Sequence, residues 1–414
     1  MSDLKNGEEQ SGNGINASKP IYLPGLNGLR AIAALAVVFF HITLELKHFG
    51  LDNAKFGTDM LGNAANLLLG GFGVTIFFTL SGFLITYLLL KEKELTGAVK
   101  IKAFYIRRAL RIWPLYYLYF FVSMATIFIY ALPFEGSSVP FYIFLSANIP
   151  FIIGKAIPFL MHYWSIGVEE QFYLFFPHIA KQSNKKLLKI VIALICIFMV
   201  TKFIFWVLYT NYNMPVPFMA LTVTRFHAML IGVAGAILYY NENRKFLSVA
   251  THKITQITAW ASIFLIAINK FYIFSAVNDE IVSVVALILI MGQITKRNHL
   301  INLENKVCDF IGKISYGMYI IHPLLIFFMA KLLGNLANTI INYILVYLLV
   351  IAATMLLAYL SYEYYEKWFL KLKKKYESIK TANVKTPKHN LLPTIQAYKI
   401  SAASIANEKK SPIY

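Results

Sequence analysis

The sequence predicts an all-α protein that crosses a membrane about ten times, with both termini in the cytoplasm. Of its 414 residues, 58% are hydrophobic and only 14% are charged, and the mean hydropathy is +0.59. A soluble domain of this length has about 25% charged residues. Ten apolar runs are long enough to form spanning helices, and basic loops separate many of them.

The ten predicted spans lie at 27–46, 70–90, 112–132, 161–180, 188–209, 221–240, 254–273, 280–295, 314–333 and 340–363. Pro114 and Pro177 stand near span ends, where a proline disturbs a helix least. Residues 139–153 are apolar, but the segment is short and bounded by prolines. We predict a re-entrant or surface segment there, with an eleventh span as the alternative.

The distribution of positive charge predicts the orientation. Loops 91–111, 181–189, 241–253 and 296–313 hold 18 Lys and Arg residues, whereas the loops that alternate with them hold five. Under the positive-inside rule, the first set of loops faces the cytoplasm. An eleventh span would place the four lysines of 181–189 on the opposite side. We therefore interpret the net charge of +19 as a topology signal, and we predict contact with membrane lipids and no nucleic-acid partner.

Composition divides the chain into three regions. Residues 1–20 are polar and predicted to be disordered, residues 21–366 form the membrane domain, and residues 367–414 form a basic cytoplasmic tail with eleven lysines and two glutamates. Cys196 and Cys308 lie in different segments without metal-ligand spacing, so neither a disulfide framework nor a metal site is predicted.

Arg30 and His41 in the first span are the strongest candidates for chemistry. Eleven positions at about 100° each bring both side chains to one helix face, ~16 Å apart along the axis. Ionisable side chains in a span usually face a protein interior or a watery cavity, and a histidine is a general base near neutral pH. The alternative is a snorkelling arginine at the interface and a structural histidine.

Two further motifs lie in the second predicted span and at the entry to the third. Ser81 and Gly82 belong to a glycine-rich run, whose small residues either line a narrow passage or allow close helix packing. Arg108 and Arg111 are three residues apart and share a helix face, and their guanidinium groups suit phosphates. Anchoring to anionic lipid is the alternative for this pair.

Carboxylates and polar side chains appear in the later spans. Glu169 and Glu170 fall inside the fourth span, where a carboxylate needs a partner such as Arg30, His41 or a substrate hydroxyl. A structural ion pair is the alternative. Weaker candidates are Arg225, His227, Ser315, Tyr316, Tyr319 and His322.

Five segments in this order resemble the acyltransferase-3 family of bacterial membrane O-acyltransferases. They are LNGLRAIAALAVVFFH, GVTIFFTLSGFLIT, RRALRIWPLYY, YWSIGVEEQFYLFFP and ISYGMYIIHPLL, and the resemblance extends from about residue 22 to about residue 370. It implies transfer of an acyl group, usually acetyl from cytoplasmic acetyl-CoA, to a hydroxyl of a cell-surface carbohydrate or glycolipid. It also implies a place in the bacterial cytoplasmic membrane.

The resemblance implies residue roles as well. Arg30 and His41 match the essential pair of the first helix, and Glu169 completes the catalytic set. The predicted donor-binding residues are Arg108, Arg111, Ser81 and Gly82, and the predicted substrate-binding residues are Trp164, Arg225, Tyr316 and His322. Asn27, Thr75 and His227 stand where the family often has Asp, and the Pro often found after the C-terminal Glu is absent. We expect the stand-alone form, without a fused esterase-like domain.

The resulting hypothesis is that CoA phosphates bind Arg108 and Arg111 at the cytoplasmic mouth. His41 then takes the proton of an attacking sugar hydroxyl or first accepts the acyl group, and Glu169 orients or charge-balances His41 or Arg30. One alternative is a transporter or flippase for a polar lipid or glycan that uses these side chains as a proton relay. Another is a sensory or scaffold protein in which Arg30 and His41 tolerate substitution.

Overall fold

The computed structural model describes residues 21–55, 67–268, 270–271 and 277–378. Helices joined by short loops make up these ranges, and no strand occurs within them. The all-α, multi-pass prediction is therefore confirmed. The predicted disordered N-terminus, 1–20, and the tail beyond residue 378 lie outside the described residues.

Fifteen α-helices are present in the described ranges. They are α1 (Leu26–Glu45), α2 (Leu67–Thr96), α3 (Ile101–Ile129), α4 (Val139–Ile143), α5 (Asn148–Ile152), α6 (Tyr163–Ile179), α7 (Asn184–Tyr212), α8 (Pro215–Thr224), α9 (Phe226–Tyr240), α10 (Arg244–Ala250), α11 (Lys253–Ala267), α12 (Asn278–Thr295), α13 (Lys306–Leu333), α14 (Ile340–Ser361) and α15 (Lys367–Lys373). A π-helical turn, Tyr362–Glu366, joins α14 to α15, and a 3₁₀ turn, Lys374–Tyr376, follows α15.

Eight stretches in the described ranges are long and apolar enough to cross a membrane. They are α1, α2, α3, α7, the α8–α9 pair, α12, α13 and α14 with its continuation. The remaining two predicted spans correspond to α6, with 17 residues, and α11, with 15. Both are shorter than the ~20 residues that a spanning helix needs, because α6 begins at Tyr163, after a turn, and α11 ends at Ala267, before the apolar run does.

The segment 139–153 does not form an eleventh span. It contains α4 and α5, each of five residues, and these are joined by a turn in which Leu145 has a φ of 56°. A five-residue helix is only ~8 Å long, which is far less than the thickness of a bilayer. The prolines that suggested a short segment, Pro140 and Pro150, lie within these two helices.

The four basic loops meet at one end of the helix bundle, which we call the basic end. Lys93 Nζ donates to the carbonyls of Lys181 at 3.0 Å and Gln182 at 2.7 Å, so the second and fourth spans end side by side. Asn184 donates to Asn241 at 3.0 Å and joins loop 241–253 to this group, and Asn298 donates to the Thr251 carbonyl at 2.8 Å and adds loop 296–313. This clustering agrees with the predicted alternation of spans, in which these four loops lie on the same side of the membrane.

Helices α1, α2, α9 and α13 occupy the centre of the bundle, with α2 packed against α9 and α1 against α13. Glycines allow the first of these contacts. A Cβ on Gly82 would lie 2.0 Å from the Met229 carbonyl oxygen, and one on Gly232 would lie 2.1 Å from that of Thr79. In contrast, α7 lies at the periphery, and apolar side chains such as Val200 and Phe203 are exposed.

Candidate active site

A cavity of about 450 Å³ opens at the basic end of the bundle. Its walls come from α1, α2, α3, α6 and α13, and α15 lies along its mouth. Seven of its lining side chains are basic, and two are carboxylates, Glu169 and Glu377. The cavity is therefore strongly electropositive.

Three arginines line this cavity without a carboxylate partner. Among the described residues, no carboxylate oxygen lies within 4.0 Å of Arg30, Arg108 or Arg111. The Arg108 guanidinium lies 5.7 Å above the Tyr173 ring, and its buried Nε has no hydrogen-bond partner. Unpaired like charges in a confined space repel one another unless an anion binds. The arrangement is thus suited to phosphate, which guanidinium groups bind in a bidentate manner.

Glu169 faces the cavity beside these arginines. Its carboxylate accepts hydrogen bonds from the hydroxyls of Ser81 and Tyr173, and the Tyr173 hydroxyl also lies 3.2 Å from Ser81 Oγ. The Arg30 side chain lines the same cavity, although the two groups are not in direct contact. Glu170 points elsewhere and accepts a hydrogen bond from the Trp113 indole at 3.0 Å.

Tyr319 and Ser165 close the inner end of the cavity. Their hydroxyls are 2.5 Å apart, and both lie within hydrogen-bonding distance of the His162 carbonyl oxygen, at 3.0 Å and 3.2 Å. The apolar side chains of Phe77 and Phe78 line the adjoining wall. The cavity thus changes from a basic mouth to an apolar interior that ends in two hydroxyls.

Three histidines lie directly behind Tyr319. The ring centroids of His41 and His322 are 4.7 Å apart, and those of His162 and His322 are 5.3 Å apart. His322 is fully buried, so the His41 ring faces the protein interior. His41 Nδ1 lies 2.8 Å from the Val37 carbonyl oxygen, which requires a proton on Nδ1 and leaves the Nε2 lone pair free to accept another. That is the state required of a general base.

The predicted site residues therefore fall into separate groups. Those that line the cavity are Arg30, Ser81, Arg108, Arg111, Glu169 and Tyr316. His41 and His322 form the group behind Tyr319. Gly82 does not line the cavity, because it lies against α9, where the backbones leave no room for a side chain.

Trp164 and Arg225 lie outside the cavity. Arg225 belongs to what we call the buried charge cluster, which comprises Lys202, Arg225, His227, Asp279 and Glu280. The Arg225 guanidinium lies 5.5 Å above the Trp164 ring and 3.4 Å from Asp279, and it donates to the Gly71 carbonyl at 2.8 Å. Lys202 Nζ donates to both Glu280 oxygens, at 3.0 and 3.1 Å.

Several members of these groups were not predicted from the sequence. Lys202 is the clearest, since a lysine within the apolar run 188–209 is itself a signal of a buried partner. His162 and Tyr173 belong to a recognised motif, but its spacing alone does not show which of its side chains point inward. The lysines of α15 were assigned to a tail because they are part of a basic run.

Comparisons with known proteins agree with this arrangement. A family model described as an acyltransferase domain matches residues 23–363. A protein of Staphylococcus aureus strain COL, named "Putative O-acetyltransferase", is 29% identical over 394 residues, which cover 87% of this chain and 59% of that protein. O-acetyltransferase OatA of S. aureus strain NCTC 8325 is 34% identical over 169 residues, which cover 38% of this chain and 24% of OatA. No solved structure matches significantly.

The chain spans 59% of the length of the protein named "Putative O-acetyltransferase". The family match begins just before α1 and ends in the π-helical turn after α14. It contains the three arginines of the cavity, Glu169 and the three histidines. This protein therefore belongs to the acyltransferase-3 family, a family of multi-pass membrane O-acyltransferases.

Proposed function

We propose that this protein transfers an acetyl group from acetyl-CoA to a hydroxyl of a cell-surface carbohydrate in the bacterial cytoplasmic membrane. One observation carries the proposal: an electropositive cavity with three unpaired arginines leads to two hydroxyls, behind which lie His41 and its neighbours. The positive-inside rule places the mouth of the cavity in the cytoplasm, where acetyl-CoA is available.

The donor binds with its phosphates among the arginines. Arg108 and Arg111 hold the diphosphate, and Arg30 adds a third cation to the cavity wall. The pantetheine arm then lies along Phe77 and Phe78. Arg30 and His41 share the continuous helix α1, so they are ~16 Å apart along its axis, comparable to the reach of an extended pantetheine arm.

His41 acts as the general base. It takes the proton from the sugar hydroxyl as the oxygen attacks the thioester carbonyl, forming the ester C–O bond and breaking the C–S bond. The proton then passes to the departing CoA thiolate. Because Tyr319 and Ser165 stand between the cavity and the histidines, the Tyr319 side chain must move when the donor binds.

Glu169 balances charge and fixes geometry on the donor side. It accepts hydrogen bonds from Ser81 and Tyr173, and its negative charge offsets part of the repulsion among the arginines. Glu169 lines the same cavity as the arginines, whereas His41 lies outside it, behind Tyr319. Of the two roles considered for this carboxylate, we therefore propose charge balance for Arg30.

Substitution of His41 tests the proposal. We expect His41→Ala to lower acetyl transfer from labelled acetyl-CoA by about 10²–10⁴-fold in reconstituted membranes, because a positioned base contributes about that much. The matched control is His48→Ala, since His48 lies on the turn after α1 with an exposed side chain that is 3.1 Å from Glu45. Normal transfer by a folded His41→Ala protein would refute the role of His41.

Transport is the second candidate, and the buried charge cluster favours it, because ionisable residues inside a bundle suit a proton relay. Labelled acetyl-CoA separates the two functions. An O-acetyltransferase leaves the acetyl label on a glycan and adds the mass of one acetyl group to it. A transporter moves its cargo and leaves no covalent label.

A further inference from the structure

Helix α15 forms one wall of the cavity mouth. It follows α14 through the π-helical turn and packs against α3, and its side chains Lys367, Lys371 and Lys373 line the cavity together with Lys374 of the next turn. The family match ends at residue 363. The lysines of α15 are therefore an addition to the site that the family motifs do not include.

The four lysines differ in whether they already have partners. Lys367 is paired with Glu363, and Lys373 lies 3.1 Å from Glu377. Lys371 and Lys374 are exposed, and neither side chain makes an ion pair or a hydrogen bond with any other described residue. Residues 371 and 374 are three apart and therefore share a face of the chain, which here is the face toward the cavity.

The charge of the lining exceeds what the diphosphate of CoA requires. The basic side chains are Arg30, Arg108, Arg111, Lys367, Lys371, Lys373 and Lys374, against the two carboxylates, so the lining carries five net positive charges. A diphosphate supplies about −2, whereas a 3′-phosphomonoester supplies about −2 more. The three arginines are half-buried in the cavity, whereas Lys371 and Lys374 are exposed at its mouth. One anionic group of a ligand therefore meets the arginines, and a second meets the lysines.

We infer that Lys371 and Lys374 form a subsite for the 3′-phosphate of CoA, outside the arginines that hold the diphosphate. This inference rests on the proposed function. It makes α15 a specificity element, because acetyl thioesters without the 3′-phosphate lack the group that these lysines bind. Since both side chains are exposed, the preference is modest, and we expect about a tenfold difference in kcat/KM.

The experiment compares two donors on the full chain in proteoliposomes. Acetyl-CoA and 3′-dephospho-acetyl-CoA are assayed with the wild type, with the double variant K371Q/K374Q, and with K375Q as the matched control. Lys375 is exposed and adjacent to Lys374 but does not line the cavity. We expect the wild type and K375Q to prefer acetyl-CoA by about tenfold in kcat/KM.

The double variant is expected to lose this preference through a higher KM for acetyl-CoA, with kcat unchanged. An unchanged kcat also shows that the variant is folded. Equal use of both donors by the wild type, or a preference that persists in K371Q/K374Q, would overturn the subsite while leaving acetyl transfer intact. Failure of the wild type to transfer acetyl from acetyl-CoA would overturn the proposed function and the subsite together.

Discussion

Glu169 and Glu170 are adjacent in the chain but have different surroundings. Glu169 lines the cavity and accepts hydrogen bonds from two hydroxyls, whereas Glu170 does not line it and accepts a hydrogen bond from the Trp113 indole. The sequence predicted that a carboxylate in this span needs a partner, and both have one. Which of the two faces the cavity was decided by the rotation of α6 against α2 and α3, and no local pattern reports that rotation.

The two glutamates give a matched pair of substitutions. We expect Glu169→Gln to lower acetyl transfer by about 10- to 100-fold, because the amide still accepts hydrogen bonds but no longer offsets the charge of the arginines. Glu170→Gln should remain within a few-fold of the wild type. The measurement is transfer from labelled acetyl-CoA at equal protein levels. Equal losses in both variants would contradict a special role for Glu169.

The histidines show the same limit of sequence reasoning. The spacing of Arg30 and His41 predicted that both face the protein interior, and the contact of His41 with His322 agrees with this. That His162 joins them was not predicted, because it is more than 100 residues from its ring partner His322 in the chain. Such contacts depend on tertiary packing.

At the level of elements, periodicity and length located the helices well, and backbone breaks account for the differences. The predicted span 221–240 is extended at its start by α8, from Pro215, and is interrupted at Arg225, where φ is 44°. Arginine carries no general signal for such a break. The contacts of its guanidinium with Gly71 and Asp279 offset the cost of the left-handed conformation.

The contact between α2 and α9 yields a prediction about stability. Gly82→Ala should destabilise the protein by roughly 1–3 kcal/mol or more, because its Cβ would meet the backbone of Met229, which cannot move without shifting α9. Gly71→Ala on the same helix is the control, since its Cβ meets only the Arg225 guanidinium at 3.8 Å. Thermal unfolding in detergent measures both. A melting temperature of Gly82→Ala equal to that of the control would disprove the close contact.

At the scale of the whole molecule, the buried charge cluster attaches the peripheral helix α7 to the bundle. Lys202 is one of three buried residues of α7, and the other two, Leu187 and Val191, lie near the opposite end of that helix. The carboxylates that bind it, Asp279 and Glu280, belong to α12. Without this ion pair, the second half of α7 would have only exposed or half-buried side chains against the bundle.

A double-substitution cycle measures this attachment. Lys202→Met should destabilise the protein by about 3–5 kcal/mol, because it removes the ammonium group that donates to both oxygens of the buried Glu280 carboxylate. Lys202→Met combined with Glu280→Leu should cost less than Lys202→Met alone, since no unpaired glutamate remains. Unfolding in a chemical denaturant reports the difference. If the two losses simply add, Lys202 and Glu280 do not interact in the way the structure indicates.

The closure of the cavity by Tyr319 and Ser165 has a physiological consequence. A protein that accepts a substrate from each side of an energised membrane risks providing a route for water and ions between them. The contact between these two hydroxyls interrupts that route one layer short of the histidines. Under the proposed function, this contact keeps the permeability barrier between the two sides of the membrane intact until the acetyl donor binds.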